Sequence, residues 1–377
     1  MVVFMFWNSK KKLKVLAFSG GAEMGEVSIR IAKALEDHLK KLDSQKNLIE
    51  YFDVVTGNSI GSIITSCLVV PSDKNPKKLK FTLDECIKNF NKDLNSINSN
   101  INIWDKLSLI LNFKNHILEE KDVVFIDNIC GNTKLSQTVI PINIVSYDID
   151  NATSRIWSTI DAKSDKKKDF YLKDAVKASI AYPGLFDSKT TKTKDNVLRD
   201  YDGGLIADSP LPMALPHIFN QENNIPKEES LIISIGTTIG NAKYVLADMD
   251  DDSFVENIYN IYKISSQIQK NTFDKLIKTF VKQFYKLDLS VPLEIQHSIY
   301  DKATKGNGLD FNKLMACTNK YIDSSKEFFN ALANKIADKK QDMKELEKLY
   351  EQSTFDCENP TEVLSEYGDA PVIHGDL

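Results

Sequence analysis

Ser59 stands in the run Gly57-Asn58-Ser59-Ile60-Gly61, flanked symmetrically by glycines in a chain with only 15 of them in 377 residues. A serine hydroxyl becomes a nucleophile when it is held clear of the backbone and its proton has an acceptor. A sharp bend between a strand and a helix achieves the first. It pushes Oγ outward, and it crowds the residues two before and two after the serine, so that neither tolerates a Cβ. The helix that follows points its positive end at the site and favours negative charge developing there. The chemistry this predicts is attack on an ester or thioester carbonyl.

The proton acceptor is harder to read. In α/β-hydrolases it is a histidine, in the order serine, acid, histidine. Here His38, His116, His217, His297 and His374 all lie outside any glycine-rich or strand-end context that would orient a base. Asp202, in "VLRDYDGGLIADSP" (197–210), precedes Gly203 and Gly204. Two glycines after an acid leave the carboxylate accessible and let other backbone come close. The same residues also read as a plain Asp-Gly turn. Gly20-Gly21-x-x-x-Gly25 offers a third chemistry, phosphate binding, but lacks the G-x-G-x-x-G pattern of dinucleotide folds.

The elements that must position these residues follow from patterning. "KVLAFS" (14–19) and "YFDVVTG" (51–57) are short apolar runs, each ending at a glycine, and predict buried strands. Val27, Ile31, Leu35, Leu39 and Leu42 recur every three or four residues and predict an amphipathic helix ending near Lys41. "SIITSCLVV" predicts a buried helix stopped by Pro71. Strand, turn, helix, repeated, is the pattern of a parallel sheet covered on both faces. Residues 72–135 read as mostly helical, with a loop over the Asn-rich stretch from Asn89 to Asn102. "VIPINIVSYDID" (139–150) and "SRIWST" (154–159) predict a hairpin around Asn151, and "LKDAVKASIAYPG" a helix ended by Pro183. "LIISIGTT" (231–238) predicts another buried strand. Residues 254–287 and 310–350 read as helices, and 351–377 as a polar tail.

Composition narrows the function. A net charge of −5 lacks the basic bias of a nucleic-acid binder. Five scattered cysteines (Cys67, Cys86, Cys130, Cys317, Cys357) form no C-x-x-C pair, offer no metal site, and read as free thiols in a reducing compartment. Asp248, Asp250 and Asp252 have calcium-loop spacing, but Ser253 and Tyr259 occupy positions where such a loop needs Gly and Glu. No apolar run reaches the ~20 residues of a membrane span. Met1–Trp7 followed by Lys10, Lys11, Lys12 and Lys14 reads as an interfacial anchor or as an ordinary packed terminus, and seven residues make a weak anchor. Three basic clusters (Lys77, Lys78, Lys80; Lys166, Lys167, Lys168; Lys189, Lys192, Lys194) would steer the molecule to anionic surfaces if they lay on the active-site side.

Taken in order, "LAFSGGAEMGE", "TGNSIGSI", "LKDAVKASIAYPGLF", "YDGGLIADSPLPMAL" and "LIISIGTT" resemble the motifs of the patatin-like phospholipases, lipid acyl hydrolases with a Ser–Asp dyad. The resemblance covers about 14–240, with weaker similarity over 284–335. It implies a three-layer α/β/α fold around a mostly parallel sheet with a C-terminal helical extension. The catalytic domain would span 14–340 (core motifs 14–240, closing helices 254–340), after an N-terminal segment 1–13 and before the tail 351–377. It implies Ser59 as nucleophile and Asp202 as base, with Gly57, Asn58, Ile60 and Gly61 forming the elbow and Gly203 and Gly204 the acid motif. Gly20, Gly21 and Ala22 would supply the oxyanion donors. It implies no cofactor and no metal. The substrate would be a phospholipid or other acyl lipid met at a membrane surface by a cytoplasmic, peripherally associated protein. An activating protein partner and leaderless secretion are both compatible with it, and it does not fix the oligomeric state. Ala22 replaces the family's usual third loop glycine, Met24 stands where Arg or Lys is usual, and Asp208-Ser209 replaces an Asn-Asn-like turn. The loss of that cation supports a second reading, a catalytically silent lipid-binding or regulatory relative; a histidine-based esterase is the third.

Overall fold

The structure is a computed structural model that describes residues 12–21, 25–88, 123–183, 186–193, 197–221, 226–239, 268–290 and 311–353. Its centre is a mixed, mostly parallel eight-stranded sheet. Five strands run parallel in the order β10 (Gln283–Ser290), β9 (Leu231–Ile239), β1 (Lys14–Phe18), β2 (Val54–Asn58), β5 (Ile142–Asp148). β6 (Thr153–Ser158) runs antiparallel along one edge of β5, completing the hairpin that the sequence predicts. A separate small hairpin is formed by β3 (Pro71–Ser72) and β4 (Asn75–Leu79).

The other edge of β5 is shared by two strands, and this sharing builds the site. β2 pairs with residues 142–145 and ends with Asn58 opposite Val145. β8 (Val197–Asp202) runs the other way and ends with Asp202 opposite Ser146, the next residue of β5. Two strands pointing at each other along one edge therefore meet tip to tip. Ser59 follows the last residue of one, and Asp202 is the last residue of the other. β7 (Lys189–Lys192) pairs antiparallel with β8.

Alternation along the strands sends apolar side chains to both faces. Leu16, Phe18 and Val55 pack with α1 (Gly25–Leu42), α2 (Ile60–Val69) and the C-terminal helices α7 (Phe311–Ser324), α8 (Lys326–Ile336) and α9 (Met343–Gln352). Val15, Ala17, Val54 and Ile232 pack with Leu211, Ala214, Leu215 and Ile218 of α6 (Leu211–Gln221), and with Ile277 and Val281. Three shorter helices are α3 (Val124–Cys130), α4 (Thr159–Ser164) and α5 (Leu172–Ser179).

Several expectations are corrected. Residues 283–287, read as helix, form the start of β10. Phe284, Leu287 and Leu289 are buried in a strand that docks parallel to β9, and this pairing overrides a helical-looking polar spacing. Residues 72–79, part of the stretch 72–135 read as mostly helical, belong to the β3–β4 hairpin. Cys317 is disulfide-bonded, with its partner outside the described residues, whereas Cys67, Cys86 and Cys130 are free thiols as read. Lys12 and Lys14 pair with Asp338, at the end of α8, instead of facing lipid. Of the basic loops, the one at 77–80 follows α2, a ten-residue helix that runs ~15 Å away from Ser59. The one at 166–168 follows α4, beyond the amino end of β5. Among the described residues of these clusters, only Lys189 and Lys192, on the β7–β8 hairpin, share the end of the sheet that carries Ser59; Lys194 lies outside the described residues. The Asn-rich stretch, the acidic turn at 248–252 and the end of the polar tail lie outside the described residues.

Candidate active site

β2 passes into α2 with Ser59 as the single residue between them. Its backbone sits at φ 52° and ψ −127°, a region that non-glycine residues rarely occupy and that costs ~1–3 kcal/mol. The flanking glycines make this bend possible, by different contacts. A Cβ on Gly57 would lie 2.5 Å from both the Gly61 carbonyl oxygen and Thr65 Oγ1, as the crowding argument expects. A Cβ on Gly61 would lie 2.1 Å from the carbonyl oxygen of Phe18, because the first turn of α2 is pressed against the end of β1. Asn58 turns its side chain the other way, and its Nδ2 donates to the carbonyl oxygens of Ala207 (2.6 Å) and Asp208 (3.3 Å).

The half-buried Ser59 Oγ donates to Asp202 Oδ2 at 2.7 Å across 143 residues of sequence. Asp202 is 2% exposed, and its other oxygen accepts the Gly204 N–H at 2.6 Å. Gly203 is required by packing: a Cβ there would lie 2.3 Å from Asn58 Oδ1 and 2.6 Å from the Val145 carbonyl oxygen. Burial pushes the Asp202 carboxyl up to about 7, and the negative charge of Asp208 adds to the rise. The hydrogen bonds from Gly204 and Ser59 pull the other way and do not cancel it. Among the described residues no lysine or arginine pairs with Asp202, so no cation counters the burial.

The loop after β1 is stitched to the turn after β8. The Gly20 N–H donates to the Asp208 carbonyl at 2.7 Å, which removes it from the expected set of oxyanion donors. A Cβ on Gly20 would lie 3.3 Å from Ser59 Cβ, so the loop runs directly over Ser59. Gly21 adopts φ 138°, open to glycine and strained for other residues. Ala22 and Met24 lie outside the described residues. Arg30, a candidate to replace the missing loop cation, is paired with Glu26 one turn away on α1, at 2.8 Å.

The described histidines lie elsewhere. His38 stacks on Phe329 of α8. His217, on α6, bonds Gln221 and approaches Asp161 at 3.6 Å. The reading from sequence missed Ser179, whose hydroxyl accepts the Ser59 N–H at 2.9 Å. Its signal was present in "KASIAYPG", a small polar residue just ahead of a helix-ending proline, but nothing local says what such a hydroxyl faces. Among the described residues no group of His, Cys, Asp and Glu could hold a metal ion, and no helix is long and apolar enough to cross a membrane.

A model of a family described as Patatin-like phospholipase matches residues 16–215, just over half of the chain. Patatin-like protein 2 of Arabidopsis thaliana is 28% identical over 222 residues, covering 55% of this chain and 53% of that protein. Patatin-like protein 2 of Oryza sativa subsp. japonica is 28% identical over 225 residues, with the same coverage. Patatin-like protein 4 of Arabidopsis thaliana is 26% identical over 259 residues, covering 63% of each chain. The match thus spans about half to under two thirds of these relatives. Among solved structures, the chain is similar to VipD from Legionella pneumophila, with a TM-score of 0.35, 10% identity, and coverage of 91% of this chain and 74% of that one.

Proposed function

This chain belongs to the patatin-like phospholipase family, and from that premise we propose that it is a lipid acyl hydrolase acting through Ser59 and Asp202 without a histidine. The observation that supports this reading is the 2.7 Å hydrogen bond from Ser59 Oγ to a buried carboxylate that has no cation beside it among the described residues. A carboxylate near neutrality at ordinary pH is basic enough to accept a serine proton and acidic enough to return it.

In the first half-reaction Ser59 Oγ bonds to the ester carbonyl carbon while its proton passes to Asp202 Oδ2. The carbonyl oxygen takes up the negative charge. Backbone N–H groups of Gly21 and Ala22 are the loop donors we assign to it, together with the N–H of Ile60, which lies in the first turn of α2 where amides lack intrahelical partners. The tetrahedral species collapses, the bond to the leaving alkoxide breaks, and Asp202 returns the proton to that oxygen. Water then yields a proton to Asp202 and its oxygen to the acyl carbon. The bond to Ser59 Oγ breaks, Asp202 reprotonates it, and a carboxylic acid departs. Ester and water have become acid and alcohol.

The substrate we propose is an acyl ester of a phospholipid or related lipid, met at a membrane surface. The test is fatty-acid release from mixed phospholipid vesicles together with fluorophosphonate labelling mapped by mass spectrometry. Release by the wild type, its loss in Ser59→Ala, and a label on Ser59 are the expected results. Vesicle binding without release or labelling would instead support a silent lipid-binding protein, the reading favoured by the pairing of Arg30 with Glu26 and of Gly20 with Asp208.

A further inference from the structure

The end of α5 touches both halves of the proposed dyad within three residues. Ser179, fully buried, is the last residue of that helix. Its hydroxyl donates to the Val145 carbonyl at 2.6 Å, which commits its single proton and leaves its lone pairs facing the Ser59 N–H. Two residues on, the Ala181 carbonyl accepts the Asp202 N–H at 2.9 Å. Ala181 is free to do so because the helix has ended: Pro183 follows, the residue before a proline is driven from helical geometry, and the carbonyls of the last turn lack intrahelical donors.

We infer that Ser179 is a positioning residue, and that the segment Ser179–Ala181 is a bracket that sets the distance between Ser59 and Asp202. The need for one lies in the Ser59 backbone. A non-glycine residue at φ 52° persists only where its surroundings over-determine it. The elbow glycines remove the obstacles to that conformation but do not hold it. The bond from Ser179 does hold it, and it ties the elbow to β5 beside the point where β2 gives way to β8. Without it the Ser59 N–H is a partly buried donor that has lost its acceptor, and a turn of the peptide toward ordinary geometry moves Oγ off Asp202. The inference rests on the proposed function, since a positioning residue needs a reaction to position for.

The test compares Ser179→Ala with Ser66→Ala, a control that removes another buried serine hydroxyl from a helix beside the site, where it bonds only the Ile63 carbonyl of its own turn and the Cys130 thiol. With a p-nitrophenyl acyl ester, Ser179→Ala should lose about 100-fold in kcat with KM within threefold, as displacement of a reacting group by ~1 Å does. Fluorophosphonate labelling of Ser59 should slow in parallel. Ser66→Ala should lose less than threefold at a similar Tm. Ser179→Thr, which keeps the hydroxyl, should recover at least tenfold over alanine; where its extra methyl lowers Tm, Ser179→Cys, of nearly serine size with a weaker acceptor, should fall between alanine and wild type. Equal kcat in Ser179→Ala and wild type, or equal losses in Ser179→Ala and Ser66→Ala, would overturn the inference. If the wild type neither labels nor turns over, it is the proposed function that fails. The bracket is then read by amide hydrogen exchange at Ser59, which should speed up in Ser179→Ala and not in Ser66→Ala; unchanged exchange would overturn the bracket itself.

Discussion

Asp202 and Asp288 end up in opposite electrical states although Asp202 as a residue and Asp288 by its side chain are each 2% exposed and each lies near the end of a strand of the same sheet. Asp288, at a bulge in β10, has Lys270 at 3.0 Å and Lys286 at 3.1 Å, and Lys286 pairs in turn with Asp274. Burial alone would raise its carboxyl; the two ammonium charges outweigh that and hold it below the usual carboxylate range. Among the described residues Asp202 receives only hydrogen bonds, from Gly204 and Ser59, and burial carries it to about 7. A cation partner turns a buried carboxylate into a fixed charge that fastens the helix over residues 268–280 to β10. Hydrogen bonds alone leave the proton exchangeable, as acid–base work requires.

The largest expected effect separates the two residues. Asp202→Asn should lower lipid ester hydrolysis by about 10³-fold or more while retaining the wild-type circular dichroism spectrum, because the amide fills the same space and cannot take a proton. Asp288→Asn should do the reverse. It leaves Lys270 without its carboxylate and should lose ~3–5 kcal/mol in denaturant unfolding, with kcat within a few-fold where the protein is folded. Loss of turnover in a fully folded Asp288→Asn would break the distinction.

The glycines beside the two acids sharpen it. A Cβ on Gly236 would stand 1.8 Å from Asp288 Oδ1, and one on Gly203 would stand 2.3 Å from Asn58 Oδ1 and 2.6 Å from the Val145 carbonyl oxygen. Gly236→Ala should displace the ion pairs and lower stability by ~2–3 kcal/mol. Gly203→Ala should lower kcat by roughly 100-fold, because the Val145 backbone cannot yield to the added Cβ and the strand tip that carries Asp202 must move instead. Unfolding curves and kcat measured on both variants check the pair.

How much of this was legible in the sequence depended on whether the signal was local. The elbow, the Asp-Gly-Gly turn and four of the five parallel strands could be read because the residues that identify them are consecutive. β10 could not, since "QFYKLDLS" is a strand only by its place beside β9, its alternation is broken by the adjacent Phe284 and Tyr285, and the Lys270 and Asp274 that pair with its Asp288 and Lys286 lie on another element. The meeting of Ser59 with Asp202 entered through the family resemblance. Its physical cause, two strands meeting tip to tip on one edge of β5, has no signature at either position. Ser179 was hidden for the same reason, and the Gly20 amide was misassigned because its acceptor, Asp208, is 188 residues away.

The two acids should also impose opposite pH slopes. Asp202 binds its proton more tightly in the folded chain than in the unfolded one. Between about 4 and about 7 the folded state therefore holds more protons, and this residue's contribution to stability falls as pH rises through that window. Asp288, lowered in the folded state, contributes stability that is present above the unfolded value and lost as pH drops through its folded value. Urea unfolding of Asp202→Asn should accordingly show a gain over wild type that grows from pH 4 to pH 8. The wild-type rate on a soluble ester should rise through about pH 7 as Asp202 ionises. A rate that is flat from pH 5 to 9 would contradict the assignment of Asp202 as base.

The smallest effect is expected at the residue that a histidine-based mechanism would nominate. His217 is half-buried, and burial lowers its pKa against the opposing pull of Asp161, so it is neutral and able to accept a proton at pH 7. By acidity alone it qualifies as a general base. Its ring, however, faces Gln221 and Asp161, and Ser59 gives its proton to another residue. A base must lie within hydrogen-bond reach of the proton it takes, and acidity matters only after that condition is met. His217→Ala should therefore leave kcat/KM within twofold of wild type and leave the pH midpoint near 7 where it was. A loss of 100-fold with the fold intact would mean that α6 moves toward Ser59 in the working enzyme, and that the contrast between the two aspartates describes only its resting state.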